Sequence, residues 1–138
     1  MIYIDTNTIV YAIENHPKYG SSCKKVLLDI QNKKLDVCAS FLVLIELISV
    51  LTRINRKMGT GRKIDVRKSI EAVMSLPIIW FDINSFSIER AAEYTYNISG
   101  ADYIHIALME INMVNLIISA DAQLDKVDII KRIDPLNY

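Results

Sequence analysis

The chain has 138 residues, 51% of them hydrophobic, with 16 lysines and arginines against 16 aspartates and glutamates. That much apolar content excludes a disordered chain. The zero formal charge excludes a globally basic nucleic-acid binder, so any such contact has to come from a local patch. The length suits one domain with a buried core, and residues 1–138 are read as a single domain. No apolar run reaches the ~18 residues of a membrane-spanning helix. The N-terminal stretch lacks the basic start of a secretory signal. Cys23 and Cys38 form no C-x-x-C pair and read as reduced structural thiols of a cytoplasmic protein.

Ile2-Tyr3-Ile4 is a short apolar run ending at Asp5, the pattern of a buried strand. Thr6 or Asn7 is expected to cap a helix reaching about Glu14, and His16-Pro17 to break it. A second helix starts at Ser21 or Ser22, with Val26, Leu27 and Ile30 at helical spacing. Residues 35–39 form a second strand. Ser40 is expected to cap a long helix reaching about Met58, whose apolar positions nearly encircle it. Such a helix is central or lies at an interface. Gly59 and Gly61 mark a loop, Val66, Ile70 and Val73 a short helix, and residues 78–81 a third strand. Residues 84–97 and 102–112 read as helices, 116–119 as a fourth strand, and 129–133 as a candidate fifth. Strands alternating with helices define an α/β class: a central, mainly parallel sheet of four to five strands flanked by helices.

Four acids stand in unusual places. Glu46 lies inside the apolar stretch Phe41–Leu51, Asp5 ends the first strand, Asp102 opens Tyr103–Met109, and Asp121 follows Leu116–Ala120. Carboxylates in such surroundings are costly unless paired or coordinated. Ligands of open parallel sheets bind beyond the carboxyl ends of the strands, where Asp5 and Asp121 stand. Asp102 at a helix start and Glu46 two turns into a helix can face the same side. Four carboxylates in one small site raise one another's pKa. A hard divalent cation such as Mg²⁺ removes that penalty. Two ions about 3.5–4 Å apart can activate a water and stabilise the leaving oxygen of a phosphodiester. Taken singly, Asp102 and Asp121 serve equally well as helix N-caps, Asp5 as a turn residue, and Glu46 as the partner of a buried arginine or part of a solvated stripe. Taken together, on four segments, they favour the metal. On that view Glu46→Gln weakens metal binding and stabilises the metal-free fold.

Ile4-Asp5-Thr6-Asn7, the Ser40–Glu46 segment, the Gly100–Ala107 segment and Ile118-Ser119-Ala120-Asp121 place their acids at intervals of 41, 56 and 19 residues. In that order they resemble the acidic motifs of PIN-domain nucleases, in particular the compact prokaryotic VapC-type toxins, over essentially the full chain. The resemblance implies a three-layer PIN-like fold and a Mg²⁺- or Mn²⁺-dependent endoribonuclease holding one or two ions. It implies that Asp5, Glu46, Asp102 and Asp121 are the catalytic, metal-binding quartet. It places Asn7 where a small polar residue orients the first acid or a metal-bound water. Ser119 stands where the family often has threonine, and Leu124 where an aromatic is common. Asp125 is an extra supporting acid on this view, and a solvated helix residue on the simpler one. His105, one turn after Asp102, reads as a satisfied, partly buried histidine, because an all-carboxylate site prefers a hard metal. The resemblance further implies a homodimer and a cognate antitoxin bound across or near the active site, making the chain the toxin of a type II toxin–antitoxin pair.

Arg53, Arg56, Lys57, Arg62, Lys63, Arg67 and Lys68 fall within 16 residues that hold one acid, Asp65. They are candidates for guiding RNA phosphates. A solvated helix end, or contact with an acidic partner, fits them equally. Tyr94, Tyr96 and Tyr103 are candidates for stacking on bases, with packing as the plainer role. Competing functions are a non-catalytic RNA- or protein-binding module and an RNA-processing PIN nuclease outside any toxin–antitoxin pair. A haloacid-dehalogenase-like phosphatase shares the opening strand and Asp5, but Asn7 stands where that chemistry needs a second aspartate.

Overall fold

Alternation along a few very short strands sets the architecture. In the computed structural model, which describes Met1–Tyr138, the strands are β1 (Ile2–Ile4), β2 (Val37–Ser40), β3 (Ile78–Phe81), β4 (Leu116–Ile118) and β5 (Lys131–Ile133). Every pairing is parallel, in the order β3-β2-β1-β4-β5. The helices are α1 (Thr6–Ile13), α2 (Gly20–Gln31), α3 (Phe41–Met58), α4 (Val66–Met74), α5 (Ser85–Ala92) and α6 (Gly100–Ile111).

Successive strand side chains point to opposite faces of a sheet. Ile4, Val37, Ala39 and Ile118 join one core with Ile9, Val26, Val43, Leu47 and Val73 of α1–α4. Their neighbours Tyr3, Cys38 and Ile117 join a second core with Ile106 and Met109 of α6. Both faces are therefore covered, the sheet is the middle of three layers, and its inner strands β1 and β4 are apolar without polar alternation, while the edge strand β5 (Lys131–Ile133) carries two basic residues. The expected α/β architecture holds, with five strands and a wholly parallel sheet. Cys23 and Cys38 are buried and unpaired. No helix is long and apolar enough to cross a membrane.

Several boundaries differ from expectation for identifiable reasons. Asp5, rather than Thr6 or Asn7, caps α1, its carboxylate accepting from the Thr6 N–H. The second helix opens at Gly20, where a Cβ would lie 3.0 Å from the Asn15 carbonyl carbon, so a side chain there would crowd the backbone of the α1–α2 turn. Ser40 precedes α3 without making a capping bond. The helix expected over 84–97 stops at Ala92. Beyond it Tyr94, Tyr96 and Ile98 alternate and pack on the second core, a period of two rather than 3.6.

The order of strands positions the site. The sheet grows from β1 through β2 to β3 on one side, then returns to place β4 on the other side of β1. The crevice at this switch point is where open α/β sheets bind ligands. Ile4 lies opposite Ile118, so the residues that leave the two strands, Asp5 and Ser119, emerge side by side.

Candidate active site

Asp5 is the buried centre of a hydrogen-bond network between the ends of β1 and β4. Its Oδ1 accepts from the Thr6 N–H at 2.7 Å, and its Oδ2 accepts from Asn7 Nδ2 at 2.6 Å and Ser119 Oγ at 2.5 Å. Asn7 Nδ2 also lies 2.9 Å from Ser119 Oγ, while Asn7 Oδ1 accepts from the Ala120 N–H at 3.0 Å. Ser119 Oγ in turn accepts from the Asp121 N–H at 3.0 Å. Asn7 and Ser119 thus orient Asp5 directly and set where Asp121 leaves the sheet. Asp121 caps the 3₁₀ turn at 122–126, accepting from the Gln123 N–H at 2.9 Å.

Glu46 is partly exposed at the cleft and is not paired with an arginine. Its Oε1 accepts from Thr6 Oγ1 at 3.1 Å and lies 2.5 Å from His105 Nε2. His105 is only 4% exposed, and its Nδ1 meets the Tyr3 hydroxyl at 2.7 Å. The histidine is satisfied and buried, and its partner is a member of the acidic set. Glu46→Gln would therefore weaken the hydrogen bond between Glu46 and His105, not relieve a stranded charge. Asp102 lies within the first turn of α6 and does not cap it. No hydrogen-bond donor acts on its carboxyl.

All four acids line one open cleft of roughly 450 Å³, in the size range of ligand sites. A wider, mainly apolar groove between α2 and α4, lined by Leu27, Leu28, Ala72 and Leu76, shares none of them. Burial first, then the charge of Asp5, pushes Asp102 up to about 6. Burial also raises Asp5, against the opposing influence of His105 and Ser119. Burial alone would lower His105, but the Glu46 hydrogen bond and the charges of Glu46, Asp5 and Asp102 outweigh it and raise the imidazole. The cleft lining holds the acids Asp5, Glu14, Glu46, Asp102 and Asp121 against the cations Arg53 and Lys57, so its negative charge is incompletely neutralised. No three acidic, histidine or cysteine side chains close into a ready-made cage around one point. Open oxygen donors of this kind suit a hard cation that keeps several waters and completes its shell with a substrate phosphate.

The other predicted residues separate. Arg53 and Lys57 line the acidic cleft. Arg62 and Lys63 line an adjoining hollow that shares Glu14 and Ile54 with it, and Arg56 lines neither. Asp125 lies outside the cleft, bound through both oxygens to Arg132 at 2.9 and 3.0 Å. Arg132 also donates to the Ser119 carbonyl at 2.9 Å, so Asp125 reaches the network two steps away. Tyr94, Tyr96 and Tyr103 line none of it. Tyr94 packs on the other two rings, and their hydroxyls are taken by Glu110, Asp128 and the Tyr96 carbonyl. Sequence reasoning missed Tyr11 and Glu14, which line the cleft from α1. Asn7, Val10, Tyr11 and Glu14 follow the i, i+3, i+4, i+7 pattern of one helix face, so placing Asn7 in the site would have placed the other three.

A wholly parallel five-stranded α/β domain with acids gathered at its switch point defines a class of cleft-bearing, acid-rich domains. The PIN domain family model matches residues 2–130, and the chain belongs to the PIN domain family. The phosphatase alternative falls with that assignment. No curated protein sequence matches the chain. Among solved structures, it resembles a chain of VapBC2 from Rickettsia felis bound to a promoter DNA fragment, with 17% identity, a TM-score of 0.68, and 96% of this chain and 98% of that one covered. It also resembles a chain of VapBC-1 from nontypeable Haemophilus influenzae, with 17% identity, a TM-score of 0.66 and 99% of each chain covered. A chain of a toxin–antitoxin complex from Klebsiella pneumoniae is similar at 13% identity and a TM-score of 0.66, with 98% of each chain covered.

Proposed function

We propose that the chain is a Mg²⁺- or Mn²⁺-dependent endoribonuclease and the toxin of a type II toxin–antitoxin pair. The observation that carries this reading is the convergence of Asp5, Glu46, Asp102 and Asp121 in one cleft whose charge is incompletely neutralised. Membership of a family whose members are generally nucleases supports it. Asp102 and Asp121 offer their oxygens to one or two ions, beside an Asp5 held still by Asn7 and Ser119 and a Glu46 held by Thr6 and His105. A divalent cation bound there supplies activation of a water and stabilisation of charge on the phosphodiester. Arg53 and Lys57 neutralise flanking phosphates from the rim, and Arg62 and Lys63 extend that path along the adjoining hollow. Tyr11, backed by the stacked ring of Tyr19 5.4 Å away, offers an aromatic wall for an unpaired base.

The test is cleavage of single-stranded and loop-containing RNA by the wild-type protein with Mg²⁺ and with EDTA. Cleavage that needs the metal supports the reading; cleavage unaffected by EDTA, or none with either Mg²⁺ or Mn²⁺, contradicts it. Arg53→Ala with Lys57→Ala is expected to weaken RNA binding and to reduce the slope of log affinity against log salt by about 1–2, one for each lost phosphate contact. Fluorescence anisotropy of labelled RNA across a salt series measures it, and an unchanged slope would place the phosphates elsewhere.

For partners, the exposed apolar stripe Phe41, Ile45 and Ile48 on α3 suits a second copy of the chain. An antitoxin fits the same reading, since one of the similar structures is a toxin–antitoxin complex.

A further inference from the structure

We propose that His105, oriented by Tyr3, is a positioning residue that fixes Glu46 at the cleft as a hydrogen-bond acceptor and sets its place relative to Asp102. This inference rests on the metal-nuclease reading and deepens it.

The direction of the hydrogen bonds follows from the backbone. The Ser40 N–H can only donate, and it donates to the Tyr3 hydroxyl at 3.0 Å. Tyr3 is 0% exposed, so its own proton must go to a protein acceptor. The nearest acceptor is His105 Nδ1, 2.7 Å away, with Ser40 Oγ at 3.4 Å from the same nitrogen and also beside the Tyr3 hydroxyl. With Nδ1 accepting, the ring proton sits on Nε2, which points at Glu46 Oε1. Thr6 Oγ1 donates to that same oxygen from β1's end of the site. Oε1 is thus fixed by donors from two different segments, and Oε2 takes no bond from the protein. A phenylalanine and an apolar residue would fill the places of Tyr3 and His105 without the cost of burying a hydroxyl and an imidazole.

The relay ties four segments together: β1 through Tyr3, the β2–α3 junction through Ser40, α3 through Glu46 and α6 through His105. Asp102 stands one turn before His105 on α6, so a single bond relates the helix carrying Asp102 to the helix carrying Glu46. Groups behind a ligand commonly govern metal affinity by about 10–100-fold.

The experiment measures the Mn²⁺ dissociation constant by electron paramagnetic resonance for wild type, H105L and H105Q, with the melting temperature of each metal-free protein. Leucine fills the space without a donor, while glutamine keeps an N–H at about the reach of Nε2. Both lose the partner of Tyr3, so both melt lower than wild type. Affinity is expected to fall about 10–100-fold in H105L and to stay near wild type in H105Q. Equal affinities in wild type and H105L overturn the proposal, as does an H105Q as weak as H105L. Wild type that binds no Mn²⁺ overturns the metal-nuclease reading and this one with it. Imidazole ¹⁵N shifts of the Mg²⁺-loaded wild type need no variant: a bare Nδ1 is expected, and a protonated Nδ1 overturns the relay.

Discussion

Asp5→Asn is expected to lower RNA cleavage by about 10–100-fold or more, the usual loss when a group that builds a metal site is altered. The two side chains have the same shape, so the loss is one of charge and of hydrogen-bond direction. Asn7 Nδ2 and Ser119 Oγ both donate to Asp5 Oδ2. An amide nitrogen in that place faces a donor in Asn7, which cannot turn over because its Oδ1 accepts from the Ala120 N–H. The mismatch costs about 1–3 kcal/mol. Relief of a buried charge whose pKa is already raised by burial offsets it. Cleavage should therefore collapse while the melting temperature moves little. Initial rates with saturating Mg²⁺, read beside a thermal melt, separate the two, and a variant that cuts RNA as well as wild type would remove Asp5 from the chemistry.

Acidification from pH 7 to pH 5 is expected to raise the melting temperature of the metal-free protein. Asp102 is raised to about 6, and Asp5 and His105 are raised as well. A group whose folded pKa lies above its unfolded one holds protons more tightly when folded. Its stabilisation is complete below the unfolded value and is lost as pH climbs through the folded one. For Asp102 the window runs from the ordinary value of 3.8 to about 6. The lowered carboxylates Asp29, Glu110 and Asp125 act in the opposite sense, but below the ordinary carboxylate range. Each kcal/mol corresponds to about 3–5 °C in a chain of this size. Saturating Mg²⁺ should reverse the trend, raising the melting temperature at pH 7 more than at pH 5, because bound metal requires the ionised carboxylates. Differential scanning calorimetry at both pH values, with and without Mg²⁺, measures all four cases. A metal-free protein more stable at pH 7 than at pH 5 would show that the cleft charge is already compensated.

Much of the fold is legible in the sequence because the inner strands are buried on both faces. Ile2-Tyr3-Ile4 and Leu116-Ile117-Ile118 are short apolar runs ended by polar residues, too short for a helix and suited to buried strands. The strand order is not legible, since nothing local states that β4 returns beside β1. That pairing is what brings Ser119 to Asp5. The helix end at Ala92 was obscured by tyrosines that suit either period. In the site, that four acids share one cleft can be anticipated from their apolar settings, while their individual partners cannot. The capping and cleft-lining alternatives also prove compatible: Asp5 and Asp121 do both. Glu46 looked uncompensated because its counter-group, His105, is 59 residues away and reads as core. The basic segment is one run in sequence, but helix geometry sends Arg53 and Lys57 to the cleft and Arg56 away from it.

The most direct test of the central claim is a calorimetric Mn²⁺ titration at pH 7 of wild type and Asp102→Asn. Asp102 accepts no hydrogen bond from the protein, so its neutralisation leaves the network around Asp5 intact. Wild type is predicted to bind Mn²⁺, and Asp102→Asn to bind it far more weakly while melting at a higher temperature without metal. Equal binding by the two proteins, or no binding by wild type, would contradict a divalent-metal site built on these four acids.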